Sequence, residues 1–360
     1  MSDLHLVQFS DPQLFVETVK AGDHSFFNFT LGSLFDSLDE EQVRIRNLTD
    51  TSRSLFGVYK GDTLLYVYNV SQFPDVAKSC CSITLTKIAD DFAWVLSSPL
   101  VSKFELDIAQ TSPAVYLLAS RLPTMINPKS LDAIVGQADL VAPFLVLWET
   151  QLAEDGIHVE SISAVPTSYK SKITYATLAT IPPPSPVFAS YRIGLAAMND
   201  IDELAHLYVG FTGVRDPNST SLDDAQGHMK AWVQLGQIWV CRLDGDIAGY
   251  IATGRTTPRT VAIRNVYVAP KHRRKGIAEA MTRAVTRYML GAEPLGFEGA
   301  PTGGPPTGPK EQVCLNVAEE HVARLYKKCG FLLGDDDRDP VTGAKGWIYS
   351  SFQTIAMSHH

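Results

Sequence analysis

At 360 residues the chain is long enough for two domains, and 45% hydrophobic with 19% charged residues lets it bury a core, which excludes wholesale disorder. Mean hydropathy near zero, with no apolar run of about 18 residues, argues against a transmembrane helix. The net charge of −8 speaks against sequence-independent nucleic-acid binding, which needs a basic face. Residues 1–187 hold 12 Lys/Arg against 21 Asp/Glu, and residues 188–360 hold 19 against 18. The start, Met1-Ser-Asp-Leu, lacks the basic and apolar blocks of a secretory leader, so the expectation is a soluble, cytoplasmic protein. Five cysteines, Cys80, Cys81, Cys241, Cys314 and Cys329, form no CxxC pair and read as reduced thiols. Four Asn-x-Ser/Thr triplets, at Asn28, Asn47, Asn69 and Asn218, read as chance matches.

In chain order, Ser54–Tyr59 and Thr63–Tyr68 flank Lys60-Gly-Asp62 and predict a hairpin. Leu140–Trp148 predicts a buried helix with Asp139 as its cap, and Ile162–Leu178 a further β-prone stretch. Ile181-Pro-Pro-Pro-Ser-Pro186 predicts an extended spacer, because three prolines cannot enter a helix or central strand. The expected division is therefore 1–180, a linker at 181–187, and 188–356. Residues 357–360 read as a tag remnant, so His359 and His360 are set aside.

The second half predicts a strand at Tyr191–Leu195, then a helix from Asn199 and Asp200 through Tyr208, then a helix over 221–234 capped by Ser221. Ile238–Leu243 and Ala248–Thr253 flank Asp244-Gly245-Asp246, a second hairpin. A strand over Val261–Val268 precedes a long helix over Arg274–Leu290. Gly291–Lys310 has six Gly and five Pro and reads as a mobile loop that packs into no regular element. Val313–Val317 predicts a short strand and Glu319–Cys329 a helix ended by Gly330. The recurrence of hairpin then helix in both halves hints at a duplicated unit.

The chemistry concentrates in Asn265-Val-Tyr-Val-Ala-Pro-Lys-His-Arg-Arg-Lys-Gly-Ile-Ala278. A strand runs into a basic, Gly-containing turn that opens a helix. Unpaired N–H groups of a first helical turn attract anions, Gly276 permits close approach, and Arg273, Arg274 and Lys275 suit a diphosphate. Arg273-x-x-Gly276-x-Ala278 resembles the Arg/Gln-x-x-Gly-x-Gly/Ala signature of the GNAT superfamily of acetyl-CoA-dependent N-acyltransferases. Leu325-Tyr326-x-x-Cys329-Gly330-Phe331 is similar to the Leu-Tyr-x-x-x-Gly-Phe block that closes the same family's core.

The resemblance implies an α/β (α+β) fold with a mixed central sheet flanked by helices, in tandem with a degenerate N-terminal domain of the same kind. In that first half, Ile134–Phe144 would sit where a core strand meets a helix, without the signature and hence without coenzyme. The resemblance further implies that Val266, Tyr267 and Val268 offer backbone groups to the pantetheine arm. Arg273, Arg274, Lys275, Gly276, Ile277 and Ala278 would bind the pyrophosphate of acetyl-CoA, and Tyr326 would protonate the departing thiolate. A phenol that stays protonated at neutral pH suits that role. The strand Val261–Val268 lacks the carboxylate that many members use as base, and Glu319 stands where the family often has Asn, with Asn316 slightly earlier. Glu319, Asp216 and a water chain are the candidates for the base, and Asn316 is a further candidate catalytic residue by its place in the family's pattern. A small-molecule amine is the expected acceptor, protein N-termini or lysines the alternative, and a non-catalytic acyl-CoA-binding protein the rival function. No nucleic-acid, membrane or metal partner is expected, since His206, His228, His272 and His321 show no ligand spacing. The plainer readings are a solvated basic turn at 271–275, a packed aromatic at Tyr326, a buried thiol at Cys314 and a solvated acidic loop at Asp335–Asp339.

Overall fold

A computed structural model of the chain describes residues 4–46, 53–72, 92–98, 108–154, 156–161, 169–213 and 220–359. Cys80, Cys81, Asp216 and residues 162–168 lie outside them. The first half runs β1 (Leu4–Phe9), α1 (Pro12–Val19), α2 (Ser25–Leu38), α3 (Glu40–Arg46), β2 (Arg53–Lys60), β3 (Thr63–Gln72), β4 (Phe92–Ser97), α4 (Ile108–Arg121), β5 (Ala133–Gln137), α5 (Ala138–Glu154), β6 (Ile157–Ser161) and β7 (Tyr169–Ala176). The second runs β8 (Arg192–Leu195), α6 (Ile201–Thr212), α7 (Leu222–Gln234), β9 (Ile238–Leu243), β10 (Asp246–Gly254), β11 (Thr260–Val268), α8 (Ile277–Met289), β12 (Gln312–Val317), α9 (Glu320–Lys328) and β13 (Trp347–His359).

The same pairing occurs twice. β1 to β4 form an antiparallel run with β5 parallel to β4, and β8 to β11 form an antiparallel run with β12 parallel to β11. The two runs join into one mixed sheet in the order β1-β2-β3-β4-β5-β13-β7-β12-β11-β10-β9-β8. The join is an exchange. β7, from the first half, lies against β12, while β13, from the end of the chain, lies against β5. β13 continues through Met357–His359 alongside β6, so the stretch read as a tag remnant is paired backbone here.

Local chemistry explains the elements. Asp244 and Gly245 both take positive φ, 54° and 91°, the turn that suits the twist of a two-residue hairpin between β9 and β10. Ser221 Oγ accepts from the Asp224 N–H and caps α7 as expected. Asp139, expected as a cap, instead stands inside the first turn of α5, which begins directly after β5. Together β5 and α5 take the place that β12 and α9 hold in the second half, so Ile134–Phe144 is not the counterpart of the basic turn.

The Gly/Pro-rich segment is irregular, as expected, yet packed. The Arg287 guanidinium on α8 donates to the carbonyls of Pro182, Pro294 and Leu295, fastening both the proline spacer and this segment to one helix. Tyr288 Oη donates to the Gly304 carbonyl at 2.6 Å, and Phe297 meets Trp239 edge-on. Backbone carbonyls freed by the lack of secondary structure find side-chain donors instead.

Candidate active site

β11 and β12 pair only from Thr260–Gln312 to Ile263–Leu315. Beyond that point β11 continues to Val268 along β10 and β12 to Val317 along β7 without pairing with each other, so the sheet opens between them. A cavity of about 370 Å³ occupies this opening. The alternation of strand side chains assigns its two faces. Val261, Ile263, Val313 and Leu315 pack with α8 and α9 in one core. The intervening Cys314 packs on the other face with Phe26 of α2 and with Ile173 and Tyr175 of β7.

The basic turn stands at the open end of β11. Pro270–His272 form a single 3₁₀ turn, Arg274 takes φ 63° and Gly276 φ 82°, and α8 starts at Ile277 rather than at Arg274. A helix cannot begin until these left-handed residues are passed. No side chain caps α8, so the N–H groups of its first turn stay available to an anion. Arg273, Arg274, Lys275 and Gly276 are exposed, whereas Ile277 is buried beneath them. A Cβ on Gly276 would meet the Phe188 ring at 3.4 Å in a backbone conformation that L side chains avoid. Tyr191 Oη donates to the Lys275 carbonyl and holds the turn from below.

Arg273 departs from the simple expectation of a phosphate ligand. Its Nε donates to the Val268 carbonyl at 3.2 Å, and its guanidinium lies 5.6 Å over the Tyr267 ring. Tyr267 itself is buried against α6, and a Cβ at Gly210 would stand 2.6 Å from its hydroxyl. Val266, Tyr267 and Arg273 line the cavity with Tyr326, Glu319 and Asn316. Sequence reasoning thus named residues from three separate elements that the fold brings to one cavity. Val268 at the end of β11, the turn residues 274–276 and the first two residues of α8, Ile277 and Ala278, do not line it.

Tyr326 is buried, stacked edge-on against Phe331, and burial with Cys329 nearby pushes its phenol above the ordinary value of 10. Glu319 precedes the first residue of α9, and its carboxylate lies 3.2 Å from His321 Nδ1. Burial likewise raises Cys314 well above the usual thiol range and keeps it protonated, which suits a packed thiol rather than a nucleophile. Within the acidic run, Asp335 and Asp336 are exposed, while Asp337 and Asp339 accept N–H bonds from their own loop; none lines the cavity. Among the described residues no group of three or more His, Cys, Asp or Glu is placed to hold a metal ion, and no helix is long and apolar enough to cross a membrane.

The first half supplies a wall that sequence reasoning did not find. Ser25, Asn28 and Phe29 of α2 and Ile173 of β7 line the cavity, as do Arg255 and Arg264. The Asn28 amide donates to the Arg255 carbonyl and to Thr260 Oγ, both at 2.7 Å. Asp36 accepts from the N–H groups of Arg255 and Thr256, at 2.8 and 3.0 Å, and Asp23 from Thr257 Oγ and the Arg259 N–H. α2 therefore holds the β10–β11 connection through buried polar contacts. Arg264 had one visible signal, a lone charge inside the apolar strand Val261–Val268. It sits at a bulge, where Ala252 pairs with Asn265 and Thr253 with Ile263.

Residues 234–332 match the family model described as an acetyltransferase (GNAT) domain. No curated protein matches the chain. Among solved structures it is similar to a GCN5-related N-acetyltransferase from Sphaerobacter thermophilus, at 12% identity over 98% of this chain and 95% of that one, with a TM-score of 0.44. A tandem GNAT protein from the clavulanic acid biosynthesis pathway aligns at 12% identity over 98% of each chain, TM-score 0.43. A GNAT-family acetyltransferase from Colwellia psychrerythraea aligns at 10% over 97% and 99%, TM-score 0.43. The part of the chain similar to an acetyltransferase (GNAT) domain, residues 234–332, is the part that carries the basic turn and the closing Leu-Tyr block.

Proposed function

We propose that the protein transfers the acetyl group of acetyl-CoA to a primary amine of a small molecule by direct attack, with no acyl-enzyme. The observation that carries this reading is the cavity that opens between β11 and β12, beside an uncapped helix N-terminus at one end and with Tyr326 in its wall. The turn 273–278 fits a diphosphate: its basic side chains are exposed and the N–H groups of α8 are uncapped. The edge of β11 beyond Ile263, unpaired among the described residues, offers main-chain groups to an extended pantetheine arm as an added strand would.

In this reading a neutral amine attacks the thioester carbonyl from the α2 face, a carbon–nitrogen bond forms, and the carbon–sulfur bond breaks. Tyr326 gives its proton to the departing thiolate, and the proton lost by the amine passes to water or Glu319. Main-chain N–H on β11 polarises the carbonyl. Glu319 is the one carboxylate among the described cavity residues. Asp216 lies outside the described residues.

The test is a calorimetric titration with acetyl-CoA, followed by turnover on an amine panel. Gly276→Asp places a carboxylate against the diphosphate in a strained backbone and should abolish binding without unfolding the protein. Unchanged affinity in that variant removes the turn from the coenzyme site. Tight binding without turnover on any amine points to an acyl-CoA-binding protein instead.

A further inference from the structure

We propose that Tyr191, at the end of the proline spacer, is a positioning residue for the coenzyme: by holding the Lys275 carbonyl it aims the Gly276 N–H at the diphosphate. The proposal rests on the acetyltransferase reading and adds to it a residue outside 234–332. What the basic turn can bind depends on where its main-chain donors point. The N–H groups of Arg274, Lys275 and Gly276 have no hydrogen-bond partner among the described residues. α8 begins its own ladder only with Ala280 N–H donating to the Gly276 carbonyl at 2.9 Å, so other contacts must set the turn before it. One of them is the bond from Tyr191 Oη to the Lys275 carbonyl. The peptide unit between Lys275 and Gly276 is trans, since the one cis bond among the described residues is Glu293–Pro294. In a trans unit the C=O and N–H point in opposite directions. With its carbonyl drawn to Tyr191, the unit therefore turns the Gly276 N–H away from the spacer, toward the side where the turn is exposed.

Without that bond the unit would turn over readily. Glycine takes either sign of φ at little cost, and the same freedom that lets Gly276 stand at φ 82° lets the peptide before it rotate. A rotated unit would present a carbonyl, not an N–H, to an anion. The spacer gives Tyr191 a firm base. Proline rings fix the backbone of 182–184, and the Arg287 guanidinium donates to the Pro182 carbonyl. Gly330 and Gly296 let other segments close on it: a Cβ there would stand 2.7 Å from the Ile181 Cα and 2.3 Å from the Pro184 Cβ. At the far end Phe188 and Tyr191 stack with ring centroids 6.3 Å apart, and both pack against the core around α8. Phe188 in turn lies against Gly276 and under the Arg283 guanidinium at 5.5 Å, which is itself fixed by Glu279 and the Lys328 carbonyl, each at 2.9 Å. The Tyr191 hydroxyl is thus held at a set height beneath the turn. The spacer that joins the halves is, on this view, a working part of the coenzyme site.

The experiment joins calorimetry with coenzyme A to NMR of the full chain labelled with ¹⁵N-glycine, the Gly276 amide resonance being identified by its loss in Gly276→Asp. Tyr191→Phe removes one hydroxyl and keeps the stack on Phe188, so the protein should fold. It should weaken coenzyme A binding about three- to tenfold, the scale of one lost hydrogen bond. In the free protein it should also shift or broaden the Gly276 resonance, because the peptide is no longer held in one orientation. Arg287→Gln separates aiming from general bracing. It unfastens the spacer from α8 away from the turn, so it should lower the melting temperature and leave the Gly276 resonance in place. Coenzyme A affinity or a Gly276 resonance unchanged in Tyr191→Phe overturns the proposal and leaves the acetyltransferase reading standing. A Gly276 resonance displaced as far by Arg287→Gln as by Tyr191→Phe overturns it too, as general loosening. No binding of coenzyme A by the wild-type chain overturns both the proposal and the reading.

Discussion

The proposed role of Tyr326 depends on its surroundings. Burial and the neighbouring Cys329 hold its phenol above its ordinary value, and Cys329 is itself pushed up to about 12. The proton therefore stays on oxygen through the neutral and mildly alkaline range, as the proposed role of proton donor to a thiolate requires. In Tyr326→Phe the ring and its contact with Phe331 remain, so folding and acetyl-CoA affinity should hold. Turnover should fall roughly 100-fold, the scale of a lost general acid. The measurement is kcat and coenzyme affinity on the same preparation. An unchanged kcat returns Tyr326 to the role of a packed aromatic.

At the scale of elements, what could be read from the sequence follows how local each signal is. Gly276, Arg274 and the start of α8 were legible because strand, turn and helix are contiguous, and Tyr326 because its block is contiguous too. Even there the helix start shifted by three residues, since two left-handed residues intervene. Arg255, Asn28 and Phe29 were not legible as one wall, because α2 and the β10–β11 connection lie more than 200 residues apart in the chain. Their meeting depends on Asp36 and Asn28, polar residues that belong to no local motif, Asn28 having read only as a chance Asn-x-Ser/Thr match. The Gly/Pro-rich segment misled for the same reason. Its anchors, Arg287 and Tyr288, stand on α8 and leave no trace in the segment's own composition. Asp36→Ala tests how firmly α2 holds the connection. It removes the acceptor of two main-chain N–H groups and should cost about 2–4 kcal/mol, because buried donors then lack partners. Denaturant unfolding reads the loss. A change below about 0.5 kcal/mol would mean that water replaces the carboxylate without penalty.

For the whole molecule, the exchange of β7 and β13 ties the halves together more firmly than the proline spacer suggests. Ile355 shows this most plainly. It lies on β13 at the end of the chain, yet it is buried in the core of the first half with Phe144 and Trp148. On the other side, Ala176 of β7 is buried in the core built around α8. Neither half can keep its sheet continuous while the other unfolds, so the chain should unfold in one cooperative transition rather than two. Ile355→Ala should cost about 2–4 kcal/mol, as for other large-to-small core changes. Val285→Ala, in the second core, should lower the same transition. Scanning calorimetry on the two variants distinguishes the cases. A single endotherm that moves down in both follows from the exchange. Two endotherms, with each variant moving only one, would mean that the shared strands contribute too little to couple the halves. The cavity would then be expected to lose its α2 wall well before the basic turn at 273–276 unfolds.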